Sequence, residues 1–234
     1  SCAINTASEL FCWGNDDHGE LGDGLGTINH PTPTQVGARW RLVEAGDNHT
    51  CGVKTSGQLF CWGNDDHGQL GDDTAIANQP APVEVAGGST DWASVSAYSN
   101  TTCARKTSGR LYCWGSDALG QLGDDGAYAD RPTPTEVAGG ATDWAAVSTG
   151  FGHTCARKTT GHLYCWGEDN HGQLGVGENL ATRPLPVEVF GGGANWAAVA
   201  AGQEHTCGLK TSGRLYCWGS DWSGALGNGG DNAD

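Results

Sequence analysis

The sequence is poor in basic residues, and this scarcity excludes two classes of partner. Lys and Arg together number 12 against 27 Asp and Glu, which gives a formal net charge of −15 at pH 7. A chain of this sign cannot neutralise phosphate groups, so we expect neither nucleic-acid binding nor binding to an anionic membrane surface. The sequence also lacks any apolar run near the roughly 18 residues that a membrane-spanning helix needs. We therefore expect no membrane insertion.

Signatures of catalysis are missing as well. The sequence has no Gly-x-Ser-x-Gly elbow, no phosphate-binding loop and no His-Glu-x-x-His motif. Each acidic or histidine position that recurs has an explanation in turns or packing, so we predict that the protein is not an enzyme. No charged segment followed by an apolar segment opens the chain, so we expect a leader peptide to be already removed or to lie outside the sequence.

Glycine and cysteine are abundant, and the cysteines are regularly spaced. The 234 residues include 39 Gly and 10 Cys, and the high glycine content argues against a helical protein. The tripeptide Cys-Trp-Gly recurs at intervals of 49, 52, 52 and 52 residues, beginning at Cys12, Cys61, Cys113, Cys165 and Cys217. A second cysteine lies ten residues before each of these, at Cys2, Cys51, Cys103, Cys155 and Cys207. The chain is therefore a tandem array of repeats.

Each full repeat predicts four short strands. Four apolar or β-branched runs separated by turn residues follow one another, and no unit has a helical apolar period. In this interpretation a Pro-x-Pro segment opens each full unit, so that the partial first unit holds two strands and the four full units hold sixteen. We predict one all-β domain over residues 1–234, with about four and a half repeats at approximately 1–30, 31–79, 80–131, 132–183 and 184–234.

The turn between the paired cysteines fixes the register of their hairpin. In the second repeat Cys51 faces Cys61 if the loop between the strands holds three residues and ends at Gly57, where a left-handed backbone is needed. The first repeat has Ser8 at that position, so we expect a more strained or different turn there. Cysteines that face each other across a hairpin predict one disulfide per repeat, hence five in the chain.

Two alternatives stay open for the cysteines. They can be reduced core residues of a cytosolic protein, or they can be zinc ligands, although one pair per unit supplies two ligands where zinc takes four. The disulfide interpretation requires an oxidising compartment, because cytosolic thiols are kept reduced. It therefore predicts a secreted or extracellular protein, free or held at the cell surface.

The segment after each Cys-Trp-Gly carries a resemblance to a known family. Residues 62–71 read Trp-Gly-Asn-Asp-Asp-His-Gly-Gln-Leu-Gly and resemble the repeat of the regulator of chromosome condensation (RCC1-like) family, and similar segments begin at Trp13, Trp114, Trp166 and Trp218. The resemblance implies a β-propeller-type array of four-stranded blades, here a secreted variant with disulfides. We expect the repeated tryptophans to pack between blades. Three architectures stay open: a segment of a longer propeller, a subunit that completes a ring or filament with other copies, and a self-sufficient array.

Positions that differ between otherwise similar repeats predict a binding surface. They lie just before the first cysteine of each pair and in the long loop around each Gly-x-Leu-Gly, and the loops at Ile76 and Leu180 are among them. Aromatic residues at such places are usual anchors for a protein partner. The candidate binding residues are Asn48, Tyr98, Asn100, Tyr128, Phe151, Glu204 and Trp222.

These features together predict a non-enzymatic extracellular module that binds another protein or further copies of itself. Because the chain is strongly acidic, its partner is expected to be neutral or basic. One alternative is a structural subunit of a surface filament or sheath, joined through exposed blade edges. Another is a carbohydrate-binding propeller with repeated shallow pockets of Trp, Asn and Asp.

A repeated histidine raises the question of a metal site. His49, His153 and His205 precede Thr-Cys in three repeats, and a ring of histidines would suggest a metal or proton site. Thr101 replaces the fourth member. This gap favours hydrogen bonds from the histidines to the backbone of a neighbouring blade.

Acidic loops are the second place where a metal is considered. Residues 64–66 and 72–73, and Asp117 with Asp124 and Asp125, offer oxygen ligands of the kind that calcium takes. The loops lack the spacing of an EF-hand, and Asn, Asp and Gly are also the residues that tight turns prefer. We expect no cofactor and no metal, with calcium as the alternative.

Overall fold

The structure is a computed structural model and describes residues 1–74, 76–124, 128–177, 180–191 and 193–229. Asp125 and the end of the last repeat, 230–234, lie outside the described residues. No helix in the described ranges is long and apolar enough to cross a membrane, and the short 3-10 helix is Trp222–Gly224. The strands, in chain order, are β1 (Cys2–Ile4), β2 (Glu9–Gly14), β3 (His30–Ala38), β4 (Trp40–Ala45), β5 (His49–Lys54), β6 (Leu59–Gly63), β7 (Gln79–Glu84), β8 (Trp92–Tyr98), β9 (Thr101–Lys106), β10 (Leu111–Gly115), β11 (Arg131–Glu136), β12 (Trp144–Thr149), β13 (His153–Lys158), β14 (Leu163–Gly167), β15 (Arg183–Glu188), β16 (Trp196–Ala201), β17 (His205–Lys210) and β18 (Leu215–Gly219).

The strands form antiparallel sheets that are the blades of the array. Three sheets have four strands, β4–β7, β8–β11 and β12–β15, and the described parts of the first and last sheets have three, β1–β3 and β16–β18. The all-β fold and the sum of eighteen described strands agree with the sequence prediction. The grouping of these strands into blades differs from the prediction, because each Pro-x-Pro strand pairs with the strand before it, as β7 does with β6. It therefore closes a blade instead of opening one, and the blades are offset by one strand from the sequence repeats.

The predicted register of the cysteine hairpins is confirmed. Cys51 lies opposite Cys61, and the turn between them has Gly57 at φ +86°. A Cβ on Gly57 would also overlap the backbone carbonyl of Thr90, so this position has no room for a side chain. Ser8 takes the same left-handed region with φ 63°, which costs conformational energy in a residue that has a Cβ.

The cysteines form one disulfide in each hairpin, as the spacing predicted. Every cysteine of the described chain is bonded, and the partners are always ten residues apart. The pairs are Cys2–Cys12, Cys51–Cys61, Cys103–Cys113, Cys155–Cys165 and Cys207–Cys217. Each bond therefore joins the second and third strands of one blade and links no two blades together.

The blades stack through their first strands. β4, β8, β12 and β16 contact one another in succession, and the second strand of each blade packs on the first strand of the next, as β5 does on β8. The first strands are therefore innermost. The Pro-x-Pro strands lie at the outer edge, because each pairs with the third strand of its own blade and with no other described strand.

The hydrophobic core lies between the blades. Trp92 and Trp114 of one blade pack with their ring centroids 6.1 Å apart, and the cluster around them includes Val53, Leu59 and Leu70 of the preceding blade. The same tryptophan pairing recurs in the neighbouring blades. The prediction that the repeated tryptophans pack between blades is confirmed.

The antiparallel order gives the array two different ends. The connections from first to second strand and from third to fourth strand leave each blade at one end, which we call the loop face; in the second blade they are residues 46–48 and 64–78. The turns from second to third strand and the connections between blades leave at the opposite end, the turn face, at 55–58 and 85–91 in that blade. The variable positions of the sequence all belong to the loop face.

Candidate functional site

The long loops of the loop face share one internal frame. In the second blade Asp65 accepts a hydrogen bond from the backbone N–H of Leu70 at 3.0 Å, and Gln69 accepts one from the backbone N–H of His67 at 2.9 Å. The same hydrogen bond, from a leucine backbone N–H to an aspartate carboxylate, recurs in each of the four remaining blades. The pairs are Leu21 to Asp16, Leu122 to Asp117, Leu174 to Asp169 and Leu226 to Asp221. These inward-turned side chains fix the shape of the loop and leave its tip free to vary.

Each long loop also joins its blade to the next through one backbone carbonyl. The carbonyl oxygen of Gln69 accepts hydrogen bonds from Thr102 Oγ1 at 2.8 Å and from Trp114 Nε1 at 2.9 Å. Gly71 permits this approach, because the Trp114 indole nitrogen lies 2.5 Å from the place where a Cβ would stand. We call this two-donor contact the blade latch. The equivalent carbonyls in the other described junctions are those of Glu20, Gln121 and Gln173.

Buried histidines extend the latch. His49 Nε2 lies 2.9 Å from Thr102 Oγ1 in the next blade. Because Thr102 gives its hydroxyl proton to Gln69, it can only accept from His49, which must therefore carry a proton on Nε2. His153 makes the same contact with Thr206 at 2.8 Å. For these histidines the sequence predicted a hydrogen bond to the backbone of a neighbouring blade. His49 has such a bond with the backbone of Ser99 in the next blade, and the threonine hydroxyl is an additional partner that the sequence did not predict.

Burial lowers the pKa of His49 to about 4. Burial, together with the charge of His205, lowers the pKa of His153 to about 3. A histidine that stays neutral in the folded protein but takes up a proton in the unfolded chain costs stability as the pH falls through the unfolded value near 6.5. The loss continues until the folded pKa is reached. These two histidines therefore destabilise the protein in acid.

The stability difference between the wild type and His49→Thr should depend on pH. Threonine is the residue that the third repeat has at this position, Thr101. Between about pH 7 and about pH 4.5 we expect the free energy of unfolding of the wild type to fall by roughly 2 to 3 kcal/mol relative to that of the variant, because only the wild type carries the buried imidazole. Urea denaturation at both pH values measures the difference. An advantage that is equal at the two pH values would contradict a neutral His49.

The pKa values of the buried aspartates in the loops are raised, whereas those of the buried histidines are lowered. Burial raises the pKa of Asp65 and of Asp117 to about 6, against the bonds from Leu70 and Leu122, which favour the ionised form. Their contribution to stability grows as the pH falls, which is why the histidine effect is best measured as a difference. In the described parts of the chain, no group of three or more His, Cys, Asp or Glu side chains could hold a metal ion.

The predicted binding residues all lie on the loop face, but they differ in exposure. Tyr128, Phe151 and Trp222 expose 49%, 45% and 80% of their surface. The four others are half-buried: Asn48, Tyr98, Asn100 and Glu204. The backbone carbonyls of Asn48, Asn100 and Glu204 accept hydrogen bonds from the first residue after the third strand, Asn64, Ser116 and Ser220. These positions therefore have a structural role in the backbone and can vary only in their side chains.

Other apolar residues are exposed on the same loops. Ile76 and Leu180, whose loops vary in the sequence, lie 52 residues to either side of Tyr128 and are exposed like it. Leu25 and Ile28 of the first repeat are also exposed, and sequence reasoning missed them as candidates. The signal was their place in the loop after Gly-x-Leu-Gly, but the first interval of 49 residues shifts the alignment there. The loop face thus carries exposed apolar side chains from every blade.

Comparison with known proteins places this architecture in a family. The family model of the RCC1-like domain matches residues 1–234. The ultraviolet-B receptor UVR8 of Arabidopsis thaliana is 32% identical over 233 residues, which cover 97% of this chain and 52% of the receptor. Yeast RCC1 (Prp20), solved bound to Kap60, matches with a TM-score of 0.85 and 22% identity over 100% of this chain and 57% of its own. Human WBSCR16 matches with a TM-score of 0.86 and 21% identity over 100% of this chain and 62% of its own.

The chain spans about half the length of UVR8 and less than two thirds of either solved structure. At these identities the two structures show a shared fold. The match of the family model extends over the whole sequence, and the structure has the four-stranded blades that the resemblance implied, with one disulfide in each. The chain belongs to the RCC1-like domain family.

Proposed function

We propose that the protein is a non-enzymatic extracellular module that binds a protein partner through its loop face. The observation that carries this proposal is the exposure of Tyr128 and Trp222 on long loops whose internal frame recurs in every blade, together with that of Phe151 on a short loop of the same face. A fixed frame with exposed, varied aromatic tips suits recognition, because the anchors are held in place before binding. The RCC1-like fold commonly mediates protein binding, and yeast RCC1 was solved bound to Kap60.

Two further observations support the other parts of this proposal. Every cysteine of the described chain is in a disulfide, which is typical of proteins that work outside the reducing cytosol. Asp65 and His49, two buried ionisable groups of the loop face, are bonded to structural partners, and this supports a non-enzymatic role. The filament and carbohydrate-binding alternatives stay predictions from the sequence.

An affinity capture experiment tests the proposal. The chain is immobilised and exposed separately to cell-surface and cytosolic fractions of its source, and the bound proteins are compared with those held by the variant Tyr128→Ala, Phe151→Ala, Trp222→Ala. We expect a partner from the surface fraction that the variant loses, because removal of central aromatic anchors typically costs about 2 kcal/mol or more each. Circular dichroism checks that the variant is folded.

A matched control distinguishes specific binding at the loop face from nonspecific hydrophobic binding. Phe190 and Leu215 are at least as exposed as Tyr128 and Phe151 but lie on the turn face. The variant Phe190→Ala, Leu215→Ala should therefore keep the partner. Capture that survives the loop-face variant, or that comes only from the cytosolic fraction, would refute the proposed face or the proposed location.

A further inference from the structure

Charge is divided unequally between the two ends of the array. Of the 12 Lys and Arg residues, only Arg131 and Arg183 lie at the loop face, and the other ten lie at the turn face or at strand ends that reach it. The lysines show the rule most clearly, because all four are the last residue of a second strand and so point toward the turn face: Lys54, Lys106, Lys158 and Lys210. The loop face is therefore far more acidic than the net charge alone suggests.

Carboxylates of the loop face are exposed to solvent, whereas its arginines are half-buried. Five aspartates are exposed there: Asp17, Asp47, Asp66, Asp73 and Asp130. Arg131 and Arg183 are both half-buried, and Arg131 is paired with Asp124 at 2.6 Å. In the ranges that the structure describes, the loop face thus has no exposed Lys or Arg to offset these aspartates, and the imidazole of His67, 2.8 Å from Asp130, is the basic group that faces one of them.

In the first three blades, exposed apolar side chains lie on the same long loops as exposed aspartates. Asp66, Asp73 and Ile76 share the long loop of the second blade, and Tyr128 and Asp130 share that of the third. A partner that fits this surface must present positive charge and, beside it, groups that pack on aromatic rings. The guanidinium group of arginine does both, since it pairs with carboxylates through two hydrogen bonds and stacks flat on aromatic rings.

We propose that the loop face is a docking surface for an arginine-rich segment of a partner protein. This inference rests on the proposed function and names the chemistry of its partner. The exposed aspartates draw the basic segment to the loop face and set its orientation. The aromatic tips of Tyr128, Phe151 and Trp222 then hold the arginine side chains by stacking.

Binding of an oligo-arginine peptide, followed by isothermal titration calorimetry, tests the inference. The variant Asp47→Asn, Asp66→Asn, Asp73→Asn should bind the peptide at least about tenfold more weakly than the wild type, and salt should weaken wild-type binding. The matched control Glu84→Gln, Asp143→Asn, Glu188→Gln removes the same number of charges from the turn face. It should change the affinity by less than about twofold, because the charges it removes do not face the peptide.

An oligo-lysine peptide of the same length separates stacking from charge. Alanine at Tyr128, Phe151 and Trp222 should weaken oligo-arginine binding more than oligo-lysine binding, because guanidinium stacks better than ammonium. The inference would be overturned if the loop-face asparagine variant and the turn-face control lost equal affinity for oligo-arginine. It would also be overturned if the wild type showed no measurable binding of that peptide. If the asparagine variant still captures the partner that the aromatic variant loses, the proposed function stands and the basic partner is refuted.

Discussion

Replacing Trp114 with alanine should lower the free energy of unfolding by about 3 to 5 kcal/mol, the range expected for removal of a large buried aromatic side chain. Trp114 is fully buried, packs against Trp92 and donates its indole N–H to the carbonyl of Gln69 in the preceding blade. The substitution therefore opens a cavity between two blades and removes half of one blade latch. Urea denaturation, followed by circular dichroism, measures the change.

Two further variants separate the packing from the hydrogen bond. Trp114→Phe keeps an aromatic ring but leaves Thr102 as the latch donor, so it should cost less than alanine does, with about 1 to 2 kcal/mol from the lost bond. Trp222→Ala removes an exposed tryptophan and should change stability by no more than about 0.5 kcal/mol. A cost for Trp114→Ala as small as that of Trp222→Ala would mean that the blades do not depend on the latch.

Reduction of the five disulfides should have a still larger effect. Each bond closes a loop with a sequence separation of 10 residues. The chain-entropy model gives somewhat under ~3 kcal/mol for a loop of this size, and we expect about 1 to 2 kcal/mol because each hairpin is already local. The sum of about 5 to 10 kcal/mol is comparable with the whole stability of an ordinary domain. The protein reduced and alkylated in urea should therefore fail to regain its β-sheet spectrum when the urea is removed.

A single hairpin provides the control for this prediction. The double variant Cys103→Ala, Cys113→Ala removes one bond from the interior of the array, and it should stay folded with a stability about 1 to 3 kcal/mol below that of the wild type. Recovery of a cooperative, wild-type unfolding transition by the fully reduced protein would show that the hydrophobic core between the blades suffices without the bonds.

The sequence predicted the local structure of each hairpin because that structure depends on neighbouring residues. A left-handed Gly57 leaves one register for the strands on either side, and this register brings Cys51 opposite Cys61. The repeated tryptophans were assigned to the core on the same kind of reasoning, since a large side chain repeated in every unit has few other uses in a folded protein.

The grouping of strands could not be obtained in this way. A Pro-x-Pro strand such as β7 can pair with the strand before it or the strand after it, and both choices keep the same order of elements. The structure shows that the connection 64–78 turns back on its own blade, whereas 85–91 leads to the next. Nothing in the residue pattern of β7 itself distinguishes these two outcomes.

The blade latch could not be predicted from sequence patterns either. Its acceptor is the backbone carbonyl of Gln69, and every residue has such a carbonyl. The contact of His49 with Thr102 spans 53 residues and forms only when adjacent blades are stacked. The exposed loop tips were foreseen better, because variation between repeats marks the positions that the scaffold does not constrain.

The blade latch has a consequence for how such a chain can change in length. In the four junctions that the structure describes, an indole nitrogen donates to the equivalent backbone carbonyl oxygen, at an offset of 45 residues in three junctions and of 42 in the first, so the latch contacts are interchangeable. Recombination that inserts or deletes one whole unit would therefore keep a latch at each junction. Genes for such arrays can therefore lengthen or shorten by single steps while the protein continues to fold, and selection then acts on the loop tips of each added unit.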